Sequence, residues 1–115
     1  DLGRVGGLLE AKKIAAMAET KQVQIAPHLY CGPVVAAANI HIGTCSPNFL
    51  ILESIGTFDG PYMDILKTGI DWEDGYVIPP STPGLGVELN DDYIAAHPYT
   101  GTELHLDMTR EPVAP

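Results

Sequence analysis

The chain has 115 residues, of which 45% are hydrophobic, so a packed core is within reach and wholesale disorder is excluded. Fifteen acidic residues stand against six basic ones, a formal net charge of -9. That balance argues against a dedicated nucleic-acid or anionic-membrane binder, since either needs a basic face.

The charge is uneven. Residues 1–50 carry four basic and three acidic side chains, whereas residues 51–115 carry two and twelve. The acidity therefore belongs to the second half and reads as a solvated face. Two cysteines, Cys31 and Cys45, are too few for a disulfide scaffold and fit a reducing, cytoplasmic setting. No apolar run reaches the roughly 18 residues of a membrane span, and no secretory signal pattern is present.

In chain order, the sequence begins at Asp1 in what reads as the end of a strand, and the piece is expected to belong to something longer. Gly6-Gly7 then marks a sharp turn into a helix over Leu8 to Thr20, where Leu8, Ala11, Ala15 and Ala18 recur at helical spacing. Val23 to Ala26 predicts a short strand, ended by Pro27-His28. Pro33 suits a first helical turn, and the second helix runs through Ala36–Ala38 to about Ile42. Phe49 to Leu52 is a continuous apolar run, as expected of a strand covered on both faces.

This is βα repetition, the grammar of an α/β fold with parallel pairing. Beyond it, the sequence predicts a short helix within Pro61 to Lys67, a strand over Gly75 to Ile78, a turn at Pro83-Gly84-Leu85-Gly86, and a helix capped by Asn90 and ending near Ala96. Residues after Pro98 lack a pattern. Only two full parallel strands are evident, with open edges, so the chain is expected to be completed by other polypeptide and not to form a complete domain alone.

In parallel βα architecture the chemistry lies at the carboxyl ends of strands. Asp1, His28 and Glu53 fall at such ends, with gaps of 27 and 25 residues, each about one βα unit. Adjacent strands lie about 4.8 Å apart, so neighbouring strand-end side chains can touch. An aspartate beside a histidine accepts one imidazole N–H and fixes the tautomer, leaving the other nitrogen for acid or base work. Glu53, if it holds a proton there, can hydrogen-bond a carboxylate that gains charge. The bland alternative makes Asp1 a terminal charge, His28 a buried histidine with its polar atoms satisfied, and Glu53 a rim residue.

Other signals are weaker. His28-x-x-Cys31, with His41 and Cys45, falls short of a compact zinc site. Gly3-x-x-Gly6-Gly7 is not the dinucleotide-binding signature. Trp72, among Asp71, Glu73 and Asp74, reads as a packing anchor on a loop, and those acids lack the spacing of a calcium loop.

Four segments carry a family resemblance. Asp1 to Gly7 is similar to the D-x-x-x-x-G-G segment of the mandelate racemase/muconate lactonizing enzyme family of the enolase superfamily. Ala26-Pro27-His28 with Gly32-Pro33 resembles that family's histidine strand. Asn48 to Glu53 resembles the next strand with its terminal glutamate, and Pro83 to Val87 resembles the P-G-L-G stretch. The resemblance runs over roughly residues 1–96 and is strongest toward the acid-sugar, galactonate-type dehydratases.

The resemblance implies the C-terminal part of a (β/α)7β TIM-like barrel: the end of strand six, strands seven and eight, and their helices. Residues 1–58 would be the barrel units, and residues 59–115 a C-terminal segment packing back toward a capping domain. It implies Asp1 as the dyad aspartate, His28 as general acid/base and Glu53 as hydrogen-bonding partner of the enolate oxygen. The implied reaction removes the proton α to a carboxylate of a sugar acid or related α-hydroxy acid, with Mg²⁺ stabilising the enediolate. The family's metal carboxylates lie on strands absent from this sequence, so no metal ligand is expected here. The expected partners are the rest of the barrel and cap, or other subunits, with neither nucleic acid nor membrane. The alternatives are a truncated, non-catalytic assembly module and one chain of a split enzyme.

Overall fold

The computed structural model describes residues 1–54 and 59–99. Residues 100–115, where the returning C-terminal segment was expected to end, lie outside the described residues, as does the boundary at residue 58. The elements are α1 (Leu2–Val5), α2 (Leu8–Glu19), α3 (Pro33–Cys45), α4 (Pro61–Asp64), β1 (Trp72–Glu73), β2 (Tyr76–Val77) and α5 (Asp91–Ala96).

Asp1 precedes a helical turn directly and caps it, its carboxylate accepting the Gly3 N–H at 2.8 Å. Gly6 and Gly7 then take φ of 107° and 84°. Side chains with a Cβ rarely reach such backbone angles, so this glycine pair is what lets α2 follow α1 with only two residues between them. The expected strand-to-helix turn is therefore a helix-to-helix turn.

α2 ends one residue short of expectation, with Thr20 as its C-cap. Its small residues Ala11 and Ala15 are buried, and Ala11 joins Leu2 and Ile42 in a core cluster onto which Ile25, Val35 and Ala38 pack. Of the rest of the expected stripe, Ala18 is half-buried and Leu8 is exposed, as are the neighbouring Ile14 and Met17. α3 runs three residues further than expected, to Cys45, with Pro33 in its first turn. It is apolar nearly all round, and Ala36, Ala37, Ile40 and Ile42 are buried, as a central helix requires. Lys12 of α2 donates to the Cys45 carbonyl at 2.5 Å, placing a cation at the negative end of α3.

The two expected strands meet in parallel, but as a single bridge, Ile25 with Phe49. The Ile25 N–H donates to the Asn48 carbonyl (2.8 Å), and the Leu50 N–H donates to the Ile25 carbonyl (2.9 Å). The next rung would need an N–H on residue 27. Proline has none, so the ladder stops there and the Pro27 carbonyl instead accepts from Glu53 N–H at 3.2 Å. The described residues do not cover both faces of the apolar run, since Leu50 is 58% and Ile51 61% exposed. Asn48 locks the pair in place. Its side-chain amide donates to the carbonyls of Ala15 (3.0 Å) and Val23 (2.9 Å), tying α2 to both segments.

In the second half, α4 lies within the segment where the sequence predicts a short helix. Residues 65–67 leave it to pair antiparallel with residues 88–90 through a Leu66–Leu89 bridge, with Lys67 N–H to Glu88 carbonyl (2.8 Å) and Asn90 N–H to Ile65 carbonyl (2.9 Å). β1 and β2 form a hairpin whose turn is Asp74-Gly75, both at positive φ, the geometry that matches strand twist. Trp72 therefore sits on a strand, not on a loop. Asn90 caps α5 by accepting the Tyr93 N–H (3.3 Å), with Asp91 and Asp92 in the first turn, as the sequence predicts.

Two substitutions test this packing. Asn48→Ala should lower stability by about 1–2 kcal/mol, because two carbonyls lose their donor. Gly86→Ala should cost about 1–3 kcal/mol, because Gly86 has φ of 76° and a Cβ there would lie 2.2 Å from Pro80 Cγ. Urea unfolding midpoints equal to that of the unsubstituted chain would contradict either assignment.

Candidate active site

The structure brings Asp1 and His28 together. Asp1 Oδ2 lies 2.9 Å from His28 Nδ1, while Oδ1 holds the Gly3 N–H at 2.8 Å. Each carboxylate oxygen thus has a separate task, one as helix cap and one as imidazole partner. The Asp1 side chain is only 10% exposed, whereas that of His28 is 46% exposed. The pair therefore has a sheltered anion and an accessible ring. A carboxylate accepts only, so at this distance Nδ1 carries the proton and Nε2 is left as the outward nitrogen of the neutral ring. Arg4 Nε is 3.7 Å from Asp1 Oδ2, but its side chain is well exposed, so that ion pair contributes little.

His28 is held from behind. Its carbonyl accepts from Asn39 Nδ2 at 3.3 Å, and Leu29, next in sequence, is wholly buried. Cys31 Sγ lies 3.9 and 4.0 Å from the two Asp1 oxygens. The Tyr62 hydroxyl donates to the Cys31 carbonyl. Both cysteines are free thiols.

Glu53 is not in side-chain contact of this kind. The backbone places it in register, through its N–H on the Pro27 carbonyl, one residue from His28 across the pair. Its side chain is exposed, so the expected burial is not provided by the described residues. The structure thus supplies a formed Asp1–His28 contact and a Glu53 aligned on the neighbouring segment.

A cavity of about 730 Å³ lies elsewhere, between the end of α3, Phe49 to Leu52 and the β1–β2 hairpin. Its lining contains none of the three residues. Among the described residues, no three His, Cys, Asp or Glu side chains converge as a metal site requires. No described helix is long and apolar enough to cross a membrane.

Asn39 and Tyr62 were not singled out from sequence. Asn39 carried a signal, as the lone amide in the apolar run Val34 to Ile42; Tyr62 carried none beyond its residue type.

The comparisons identify the family and the fold. The family model for the enolase C-terminal domain-like fold matches residues 1–93. The solved structure described as a mandelate racemase/muconate lactonizing enzyme from Labrenzia alexandrii shares 68% identity and superposes with a TM-score of 0.84, covering 90% of this chain and 27% of that one. Its counterpart from Burkholderia SAR-1 shares 61% identity with a TM-score of 0.86, covering 96% and 28%. Among curated relatives, the D-galactonate dehydratase of Xanthomonas campestris is 41% identical over 100 residues, which are 82% of this chain and 26% of that protein. The chain belongs to the mandelate racemase/muconate lactonizing enzyme family of the enolase superfamily, and its fold is a portion of that family's C-terminal domain. It spans about a quarter of the length of the curated relatives it matches.

Tyr62 gives a pH prediction. Burial first, and the neighbouring Cys31 second, push its hydroxyl from the usual 10.0 up to about 12. The folded chain therefore keeps the proton over a range where the unfolded chain loses it. Tyr62 leaves stability unchanged below pH 10, and stability falls as pH rises from there toward 12. Tyr62→Phe should flatten that decline in chemical unfolding series; an identical slope would contradict it.

Proposed function

We propose that this chain supplies the proton-handling part of an enzyme that removes the proton α to a carboxylate, acting on an acid sugar of the galactonate type. The observation that carries the proposal is the 2.9 Å contact between Asp1 Oδ2 and His28 Nδ1 beneath an accessible ring. With Nδ1 protonated and held, Nε2 is the nitrogen that exchanges a proton with substrate. As the ring gains a proton, the sheltered Asp1 carboxylate offsets the new charge.

For dehydration, removal of the α-proton leaves its electron pair in an enediolate. The electrons then return to expel the β-hydroxyl, which leaves as water after taking the proton from His28. Ketonisation of the resulting enol gives the deoxy keto acid. Glu53, once covered and protonated, is placed to hydrogen-bond the substrate carboxylate as it gains charge. The D-galactonate dehydratases among its relatives, at 37–41% identity, support the substrate class.

Enolase-superfamily enzymes generally use Mg²⁺, which stabilises the enediolate when bound. The described residues of this chain do not fit such a site, because no three potential ligands converge. We assign the metal ligands, and the cover over Leu50 and Ile51, to further polypeptide.

Two outcomes follow. In the active enzyme containing this chain, His28→Asn should reduce exchange of the substrate α-proton with solvent deuterium by at least about 100-fold. A panel of sugar acids including D-galactonate provides the assay, and undiminished exchange would remove His28 from this role. The 115-residue chain assayed alone should show no turnover; turnover would overturn the assignment of the metal half to further polypeptide.

A further inference from the structure

We infer that Asn39 and Tyr62 are positioning residues that clamp the backbone on either side of Leu29 and thereby set the His28 ring against Asp1. The inference rests on the reading of His28 as the proton carrier and extends it to residues that touch no substrate.

The segment from His28 to Cys31 belongs to no helix or ladder. Pro27, just before it, ends the parallel pairing because it lacks an N–H. A segment released from the ladder in this way must be held by something else if the ring is to keep one orientation. Two side chains from separate elements do so. Asn39, in the middle of α3, donates from Nδ2 to the His28 carbonyl at 3.3 Å. Tyr62, on α4, donates to the Cys31 carbonyl. Between the two anchored carbonyls, Leu29 is wholly buried and acts as a plug.

Asn39 is an unexpected residue where it stands. The surrounding helix reads Val34, Val35, three alanines, then Ile40, and an amide in that setting weakens both helix propensity and burial. It is wholly buried all the same, and its Oδ1 has no hydrogen-bond partner. Only Nδ2 can donate to a carbonyl, so the amide orientation follows from its one partner. An apolar residue would suit the helix better, and the His28 carbonyl is the interaction that accounts for the asparagine. Tyr62 is suited to its half of the clamp because a phenol keeps its proton, and so donates, across ordinary pH.

The clamp acts where small errors matter. A carboxylate–imidazole contact at 2.9 Å is lost with a shift of about an ångström. Asp1 is fixed independently by its cap on Gly3, so the movable partner is the ring.

The tautomer of His28 reads this positioning directly. With the ring neutral, ¹⁵N-histidine spectra of the folded protein should show Nδ1–H as the dominant form, with the signal identified by its disappearance in His28→Asn. Asn39→Leu and Tyr62→Phe should each lower the Nδ1–H to Nε2–H ratio roughly fivefold or more. A purely structural role would lower the melting temperature and leave the ratio alone; an unchanged ratio in folded variants overturns the inference. If Asn39→Leu does not fold, Tyr62→Phe, which removes one oxygen, decides the matter. A wild-type ring without dominant Nδ1–H would instead remove the observation beneath the proposed function, so the two failures are distinguishable.

Discussion

The meeting of residues 25–27 with residues 48–53 is the constraint from which the site follows. One parallel bridge at Ile25 and Phe49 joins the two segments that carry His28 and Glu53, and the Glu53 N–H on the Pro27 carbonyl brings Glu53 next to the residue before His28. Asn48 ties both to α2. Pro27 then halts the pairing one residue before His28, which frees the imidazole from the sheet geometry and passes control of it to side chains. A longer ladder would fix the backbone more firmly but leave less freedom to bring the ring to Asp1.

Asp1 shows how one residue serves local and tertiary structure together. The same carboxylate caps α1 and holds His28. The cap costs the site nothing, since a carboxylate has several lone-pair positions and the two partners use different oxygens. Because α1 packs Leu2 into the core with Ala11 and Ile42, the orientation of Asp1 is coupled to the packing of α2 and α3. The Asp1–His28 geometry and core packing are thus joined through a helical turn of four residues.

Much of this was legible in the sequence. The spacing of Asp1, His28 and Glu53 anticipates that the first two touch, and the glycine pair, Pro33 and Asn90 mark real turns and helix starts. The apolar run Phe49 to Leu52 reports a need for burial, not the identity of what supplies it, and the described residues leave Leu50 and Ile51 exposed. The pairing stops at Pro27, where the sequence places the end of the strand, but it amounts to one bridge because strand propensity in Val23 to Ala26 does not say how many rungs will form. The β1–β2 hairpin had a plain signal in Asp74-Gly75, obscured by the surrounding acids. Asn39 was hidden for a different reason: a buried amide declares its partner only once the chain is folded.

The central claim is that Asp1 and His28 act as one unit in proton transfer. A double-substitution cycle on substrate α-proton exchange tests it most directly, using Asp1→Asn, His28→Asn and both together in the active enzyme. The account predicts strong non-additivity, with the double variant no slower than His28→Asn alone, because Asp1 works only through the ring. Additive losses would show that the two residues act independently and would contradict it.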